Sequence, residues 1–130
     1  MSESKKTVVN SYRDLIVWQK AKAVAVKTYG MTSSFPEREK YGLVSQMNRS
    51  AVSVPSNIAE GFGRHILSEY VRFLRIAIGS LYELKTQVDI AYDIDYVSKE
   101  DWCEIEEMTL EIERMLNSLI SSLVKKQQGN

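Results

Sequence analysis

The sequence predicts an all-α fold, an antiparallel up-down-up-down four-helix bundle, in a chain of 130 residues. Apolar residues recur in alternating steps of three and four along four segments, which is the spacing of one helix face. Short breaks rich in glycine, proline or polar residues separate these segments, and short connections favour antiparallel neighbours. The composition, 44% hydrophobic and 26% charged with only two prolines, indicates one globular domain with its own core.

Local signals set the expected bounds of the helices. The helices are predicted at about 12–32, 36–60, 67–93 and 98–124, with flexible tails at 1–11 and 125–130. Ser11 and Asp14 form a capping pair that starts the first helix. Pro36 suits the first turn of the second helix, where its missing N–H costs nothing. The glycines of Gly61-Phe62-Gly63 are expected to stop that helix, because glycine accepts the left-handed backbone that ends many helices.

Two tryptophans stand at the head of apolar seams. Trp18 begins the seam of the first helix, and Trp102 begins the seam of the fourth. Large aromatic side chains contribute most when they are covered by other apolar groups. Both are therefore expected to be largely buried.

The third helix is more apolar than one core requires. Its seam runs from Tyr70 to Ala91 in steps of four and three, and further apolar residues lie off that seam. The residues expected at a contact with another subunit are Val71, Phe73, Ile76, Ile78 and Tyr82. A large exposed apolar patch is unusual on a monomer, so the sequence predicts a homo-oligomer.

Charge is unevenly distributed along a chain whose net charge is zero. Residues 1–65 contain ten basic and five acidic residues, whereas residues 66–130 contain seven and twelve. The basic residues expected to gather on one nucleic-acid-binding surface are Lys20, Lys22, Lys27, Arg38, Lys40, Arg49, Arg64, Arg72 and Arg75. Such clusters bind phosphate backbones by neutralising their charge. The alternative is that these side chains only solubilise the helices and pair with acids.

No residue cluster predicts a catalytic, metal or cofactor site. His65 is the only histidine, whereas the di-metal sites of helix bundles need a Glu-x-x-His pair on each of two helices. Asp93, Asp95 and Glu104 match three positions of a calcium loop, but Ser98 stands where that loop needs glycine. The sequence therefore predicts a protein that is not an enzyme and binds no cofactor.

A cytoplasmic location without a membrane span is expected. The N-terminal residues lack an apolar signal segment, and no run of about eighteen apolar residues follows. Cys103 is the only cysteine, so an intramolecular disulfide is impossible. A free thiol suits a reducing compartment better than a secreted protein.

Four stretches match one protein family in order and spacing. They are residues 12–21 (YRDLIVWQKA), 35–43 (FPEREKYGL), 45–61 and 73–87. Over roughly residues 12–123 the chain resembles the bacterial four-helix-bundle proteins encoded in intervening sequences of 23S ribosomal RNA genes. These are sometimes labelled ribosomal-protein-like, and they are related to the accessory variability protein of diversity-generating retroelements.

The resemblance implies a ring-like homo-oligomer, often a pentamer, and a partner that is RNA or an RNA-associated protein. The retroelement accessory proteins are strongly basic as a class, whereas this chain has a sequence pI near 6.6. Weak to moderate RNA binding is therefore expected. The alternative function is a protein-partner scaffold without nucleic-acid affinity, and an enzyme with a site between subunits is the least favoured.

Overall fold

The computed structural model describes residues 8–129, and within them the secondary structure is entirely helical. The long helices are α1 (Ile16–Thr32), α2 (Leu43–Phe62), α3 (Leu67–Asp93) and α4 (Lys99–Gln128). Short 3₁₀ turns at Tyr12–Asp14 and Glu37–Glu39 precede α1 and α2. The all-α prediction is confirmed. Most of the tail expected at 1–11, and Asn130 of the tail expected at 125–130, lie outside the described residues.

The helices form a bundle in which each one packs against two others. α1 contacts α2 and α4, and α3 contacts the same two helices, so α1 and α3 lie on a diagonal. Lys27, late in α1, pairs with Glu104, early in α4, at 2.9 Å. Lys20, nearer the start of α1, pairs with Glu111, further along α4. The two helices therefore run in opposite directions, as the predicted up-down topology requires.

The core lies along the bundle axis and is built from the predicted seams. The largest fully buried apolar side chains are Val24, Met47, Val54, Ile58, Leu74, Leu81, Leu84, Val88, Ile105, Ile112 and Leu116. Every helix contributes to this set at helical spacing. The hydrophobic effect thus acts on all four helices at once, at about 25 cal/mol per Å² of apolar surface removed from water.

The prediction that both tryptophans are largely buried is confirmed in part, since most of each side chain is covered but neither belongs to the fully buried core. Trp18 and Trp102 are half-buried and pack against the core from its margin. The indole N–H of Trp102 donates to Asp89 Oδ1 at 2.8 Å, and its ring stacks on Tyr92. Trp18 meets Tyr12 edge to face. Each indole covers apolar surface and keeps its polar edge near water, which suits an amphipathic ring.

Helix α2 begins at Leu43, seven residues later than the predicted start at Pro36. The intervening segment crosses the end of the bundle, which buries Phe35 against Tyr96 with ring centroids 5.2 Å apart. The Glu39 carboxylate accepts from the backbone N–H of Leu43 at 3.2 Å. A side-chain acceptor for a free N–H stabilises the start of a helix. The start of α2 is therefore set by Glu39 and not by Pro36.

Two helix ends also differ from the prediction. Gly61 does not stop α2, because it lies inside the helix with a right-handed backbone, and it is His65 in the following loop that has a positive φ of 63°. Helix α4 continues to Gln128, so residues 125–128 are helical where a flexible tail was expected. Gly61 instead serves close packing, because an added Cβ would lie 2.8 Å from the Cβ of Phe73.

Candidate nucleic-acid interface

The antiparallel threading gives the bundle two ends of opposite charge. We divide each helix at its midpoint, which separates the bundle into two halves along its axis. The basic half is the one that contains the α2–α3 loop, and it comprises residues 8–24, 53–80 and 114–129. The acidic half comprises residues 25–52 and 81–113. The basic half contains nine basic and three acidic residues, and the acidic half contains six basic and thirteen acidic residues.

The nine predicted basic residues are divided between these halves rather than gathered on one surface. Those in the basic half are Lys20, Lys22, Arg64, Arg72 and Arg75, and those in the acidic half are Lys27, Arg38, Lys40 and Arg49. Basic and acidic residues are separated along the bundle axis in the structure. In the sequence, the contrast in charge is instead between residues 1–65 and residues 66–130. A single patch made of all nine side chains is therefore absent.

Basic residues of the acidic half are held by their own chain. Lys27 Nζ lies 2.9 Å from Glu104 Oε1 and 3.2 Å from Asp101 Oδ1. The hydrogen bond to Glu104 and the two nearby carboxylates raise the pKa of Lys27 despite its partial desolvation. Arg49 pairs with Glu83, and Arg38 donates to the hydroxyl of Tyr96 at 3.1 Å. Lys27 and Arg49 are thus paired with carboxylates, whereas Arg38 and Lys40 make no ion pair within residues 8–129.

Basic residues of the basic half are partly free and partly paired. Lys22 is exposed and lies over the Trp18 ring, with Nζ 5.6 Å from the centroid. Arg75 is exposed and makes no ion pair within residues 8–129. Lys20, Arg64 and Arg72 pair with carboxylates of their own chain, Lys20 with Glu111 at 3.3 Å. An exposed ion pair of this kind contributes only about 0–1 kcal/mol, so a phosphate can compete for the lysine.

The corner between α2 and α3 holds two arginines against one aromatic ring. The guanidinium carbons of Arg64 and Arg72 lie 4.8 Å and 4.6 Å from the centroid of Phe73. The ring is only 7% exposed, because these side chains cover it and Gly61 lets the two helices approach closely. Cation–π contact fixes the position of both guanidinium groups.

Residues 13–118 match the family model described as 23S rRNA-intervening sequence protein. The chain belongs to that family. No match is found among curated proteins.

A solved structure is similar to this fold. It is a protein of unknown function from the S23 ribosomal protein family of Bacteroides thetaiotaomicron, at 22% identity and a TM-score of 0.74. The match covers 80% of this chain and 97% of that one. At this identity the likeness supports the helical fold alone.

The five residues predicted at a subunit contact differ in how far they are buried within their own chain. Val71 and Phe73 are buried within their own chain, and Ile78 packs against its core. The structure thus assigns these three side chains to intramolecular packing. Only Ile76 and Tyr82 remain substantially exposed, at 40% and 46%. Gly79 lies between them with no atom within 4 Å of where a Cβ would stand.

A second apolar surface lies between α1 and α4. There the helices leave a groove of about 520 Å³ with five apolar residues and Arg114 among its lining. The apolar residues are Leu15, Ile16, Val17, Met115 and Leu119. The groove is an open surface feature, and Arg114, Ser118 and Ser122 form the polar part of its lining.

Other ionisable groups have structural explanations. The O–H of Tyr82 donates to Glu113 at 2.6 Å, and this bond, with the charges of Lys85 and Arg114, lowers the pKa of Glu113. Burial raises the pKa of Tyr70. Within residues 8–129, no three His, Cys, Asp or Glu side chains converge as metal ligands. No helix in that part of the chain is long and apolar enough to cross a bilayer.

Sequence reasoning missed several members of the basic half. Arg13, Arg114 and Lys125 are exposed and lie at this end, although they come from opposite ends of the chain. The predicted up-down topology could have identified them, because it states which half of each helix lies at which end of the bundle. Splitting the chain by residue number could not, because antiparallel helices bring its first and last segments together.

Proposed function

We propose that the chain is a non-enzymatic, homo-oligomeric module that binds RNA through its basic half. The lengthwise separation of charge carries this proposal. Nine basic and three acidic residues lie in one half, against six and thirteen in the other, so a neutral chain has a basic end. A phosphate backbone is attracted to one end and repelled by the other, which favours a single binding orientation.

The absence of an assembled reaction site among residues 8–129 supports a binding role rather than catalysis. The shifted pKa values of Lys27, Tyr82 and Glu113 arise from contacts on the bundle surface, and that of Tyr70 arises from burial. None of these groups lines the groove between α1 and α4. A cytoplasmic location is part of the proposal, because the exposed thiol of Cys103 suits a reducing compartment.

Self-association is supported by the exposed strip Ile76-Gly79-Tyr82 on α3. A glycine in the middle of an exposed helix costs about 0.5–1 kcal/mol relative to alanine. No packing inside the protomer offsets this cost at Gly79, since nothing lies within 4 Å of where its Cβ would stand. A flanking helix of another copy can approach such a position closely, and the two apolar neighbours add buried area.

A ring follows if the strip of one copy docks against a different surface of the next, because such heterologous contacts close into cycles. The groove between α1 and α4 supplies a second apolar surface, away from the strip on the α3 diagonal. The family resemblance favours five copies. In a ring of parallel protomers the basic halves share one rim, and several weak sites act together on one RNA.

The test of RNA binding uses two triple variants that remove the same number of charges. Arg13→Gln/Arg75→Gln/Lys125→Gln acts on the basic half, and Arg38→Gln/Lys40→Gln/Lys99→Gln acts on the acidic half. Fluorescence anisotropy with ribosomal and unrelated structured RNA is measured at several salt concentrations. The slope of log affinity against log salt is about −0.9 per neutralised phosphate in B-form DNA, and a smaller absolute slope reports lost contacts.

The basic-half variant is expected to bind more weakly with a flatter salt dependence, while the acidic-half variant keeps both properties. Equal effects of the two variants would refute binding at the basic half. Undetectable binding of the unmodified chain at low salt would refute RNA binding altogether. Oligomerisation without RNA binding would favour the scaffold alternative, in which the apolar α3 strip and the acidic half serve a protein partner.

The oligomer is tested by light scattering at micromolar concentration. The expected mass is close to five times the 14.9 kDa of one chain. A mass equal to one chain would refute self-association.

A further inference from the structure

The two arginines at the α2–α3 corner are held differently from the other basic side chains. Arg64 follows the end of α2 and Arg72 lies in the second turn of α3, yet both guanidinium groups converge on Phe73. Their side chains remain 45% and 57% exposed while the ring beneath them is almost fully covered. Each guanidinium thus lies over the ring and still reaches solvent.

Carboxylates steady this arrangement without using up its donors. Arg64 Nη2 lies 2.8 Å from Glu60, and Arg72 Nη2 lies 3.4 Å from Glu69. Within residues 8–129, neither guanidinium makes another hydrogen bond. A guanidinium carries five N–H donors in one plane, so several donors of each group remain for a ligand.

Two further features add positive potential beside the carboxylates of Glu60 and Glu69. Arg75 lies one turn beyond Arg72 on α3 and has no ion pair in the described part of the chain. The pair also stands beside the first turn of α3, where Ile66 provides no side-chain cap for the free N–H groups. The positive end of the helix dipole adds to the field of the arginines.

We propose that Arg64 and Arg72, stacked on Phe73, form a bidentate fork for the phosphodiester groups of RNA. This inference rests on the proposed function and names the residues that make its closest contact. Planar guanidinium groups match the two non-bridging oxygens of a phosphate, and stacking fixes their orientation before the ligand arrives. Because the arginines cover the Phe73 ring, the site takes the phosphate of a nucleotide rather than stacking its base.

Substitution of arginine by lysine separates this fork from general charge attraction. Arg64→Lys/Arg72→Lys retains both charges but loses the planar donors and their stacking on Phe73. Affinity is therefore expected to fall by roughly tenfold, the effect of losing about one strong charged hydrogen bond, while the salt slope stays nearly constant. Arg64→Gln/Arg72→Gln should reduce both affinity and slope.

Arg38→Lys/Arg49→Lys is the matched control, since these two arginines are also exposed but lie in the acidic half and do not contact Phe73. Phe73→Leu removes the ring and keeps an apolar side chain, so it should weaken binding in the same direction as the lysine pair. Circular dichroism and thermal melting verify that each variant folds. All dissociation constants are measured by anisotropy with one structured RNA.

A loss of affinity confined to the Arg64 and Arg72 lysine pair and Phe73→Leu, with the control pair unchanged, supports the fork. Wild-type affinity in Arg64→Lys/Arg72→Lys would overturn the fork while leaving charge-driven RNA binding intact. An equal loss in the control pair would also overturn it, because the stacked arginines would then have no special role. Absence of binding by the unmodified chain would instead refute the proposed function.

Discussion

Gly61 and Phe73 approach so closely that a Cβ added at Gly61 would lie 2.8 Å from the Cβ of Phe73. The ring of Tyr70 would stand 3.1 Å away on the same side. Gly61→Ala therefore forces α2 and α3 apart or displaces Phe73. We expect a loss of about 1–3 kcal/mol in the free energy of unfolding, the usual cost of overpacking, measured by urea denaturation.

Gly30→Ala is the control for this prediction. An added Cβ at Gly30 meets nothing within 4 Å, so the substitution should stabilise α1 by about 0.5–1 kcal/mol through helix propensity. If Gly61→Ala were as stabilising as Gly30→Ala, the close packing of α2 on α3 would be incorrect.

A buried hydrogen bond between α2 and α3 gives a second prediction. Ser50 Oγ donates to Gln87 Oε1 at 2.7 Å, and both residues are buried. Ser50→Ala leaves the amide oxygen without this donor, so we expect a loss of about 1–3 kcal/mol in the free energy of unfolding. Ser56→Ala, at an exposed position of the same helix, should change it by less than about 0.5 kcal/mol. Thermal melting of both variants provides the comparison, and equal stabilities would contradict it.

Acid stability depends on the contact of α3 with α4 at Glu113. The hydrogen bond from Tyr82 and the charge of Lys85 hold the pKa of Glu113 below its usual value of 4.5. The folded pKa is therefore lower than the unfolded one. The resulting stability is present above pH 4.5 and is lost as the pH falls through the folded pKa.

Tyr82→Phe removes the donor and should raise the pKa of Glu113, which an NMR titration of its carboxyl carbon can follow. The variant should also show a smaller loss of stability between neutral and acid pH. Glu107→Gln is the control, because Glu107 is exposed on α4 and makes no hydrogen bond within residues 8–129. An unchanged Glu113 titration in Tyr82→Phe would argue against this hydrogen bond.

Self-association is expected to depend on two surfaces. Ile76→Glu places a charge on the α3 strip, and Ile16→Glu places one in the groove between α1 and α4. Either change should shift the oligomer towards the monomer in analytical ultracentrifugation, because a charge that loses water without a partner is costly. Ile94→Glu substitutes an equally exposed isoleucine, at 47%, away from both surfaces. A ring that survives Ile76→Glu would exclude the strip as its interface.

Sequence periodicity determined the four helices and much of the core, since the residues predicted on the seams of α3 and α4 include Leu74, Leu81, Ile105 and Ile112, all fully or almost fully buried. Local sequence also identified the capping pair ahead of α1, where Ser11 Oγ accepts from the backbone N–H of Arg13 at 3.1 Å and the Asp14 carboxylate accepts from the N–H of Ser11 at 3.2 Å. These features depend on neighbours within about one helical turn, which is the range that a sequence pattern reports directly.

Tertiary packing decided which face of each helix is buried inside the protomer and which stays exposed. Val71, Phe73 and Ile76 belong to one apolar helix, but the first two are buried and Ile76 is exposed. Phe73 is covered by its contact with α2 and by the arginines. It likewise turned Gly61 from an expected helix stop into a point of close approach. Such outcomes depend on residues far apart in sequence, which helical periodicity does not register.

The candidate site shows the same division. The sequence by itself determined the number of charges and the helices that carry them, and it named Arg64 and Arg72. Only the antiparallel threading brought Arg13 and Lys125 to one end and the acids of early α4 to the other. Electrostatic attraction depends on distance in space, so the basic half exists only once the helices are packed.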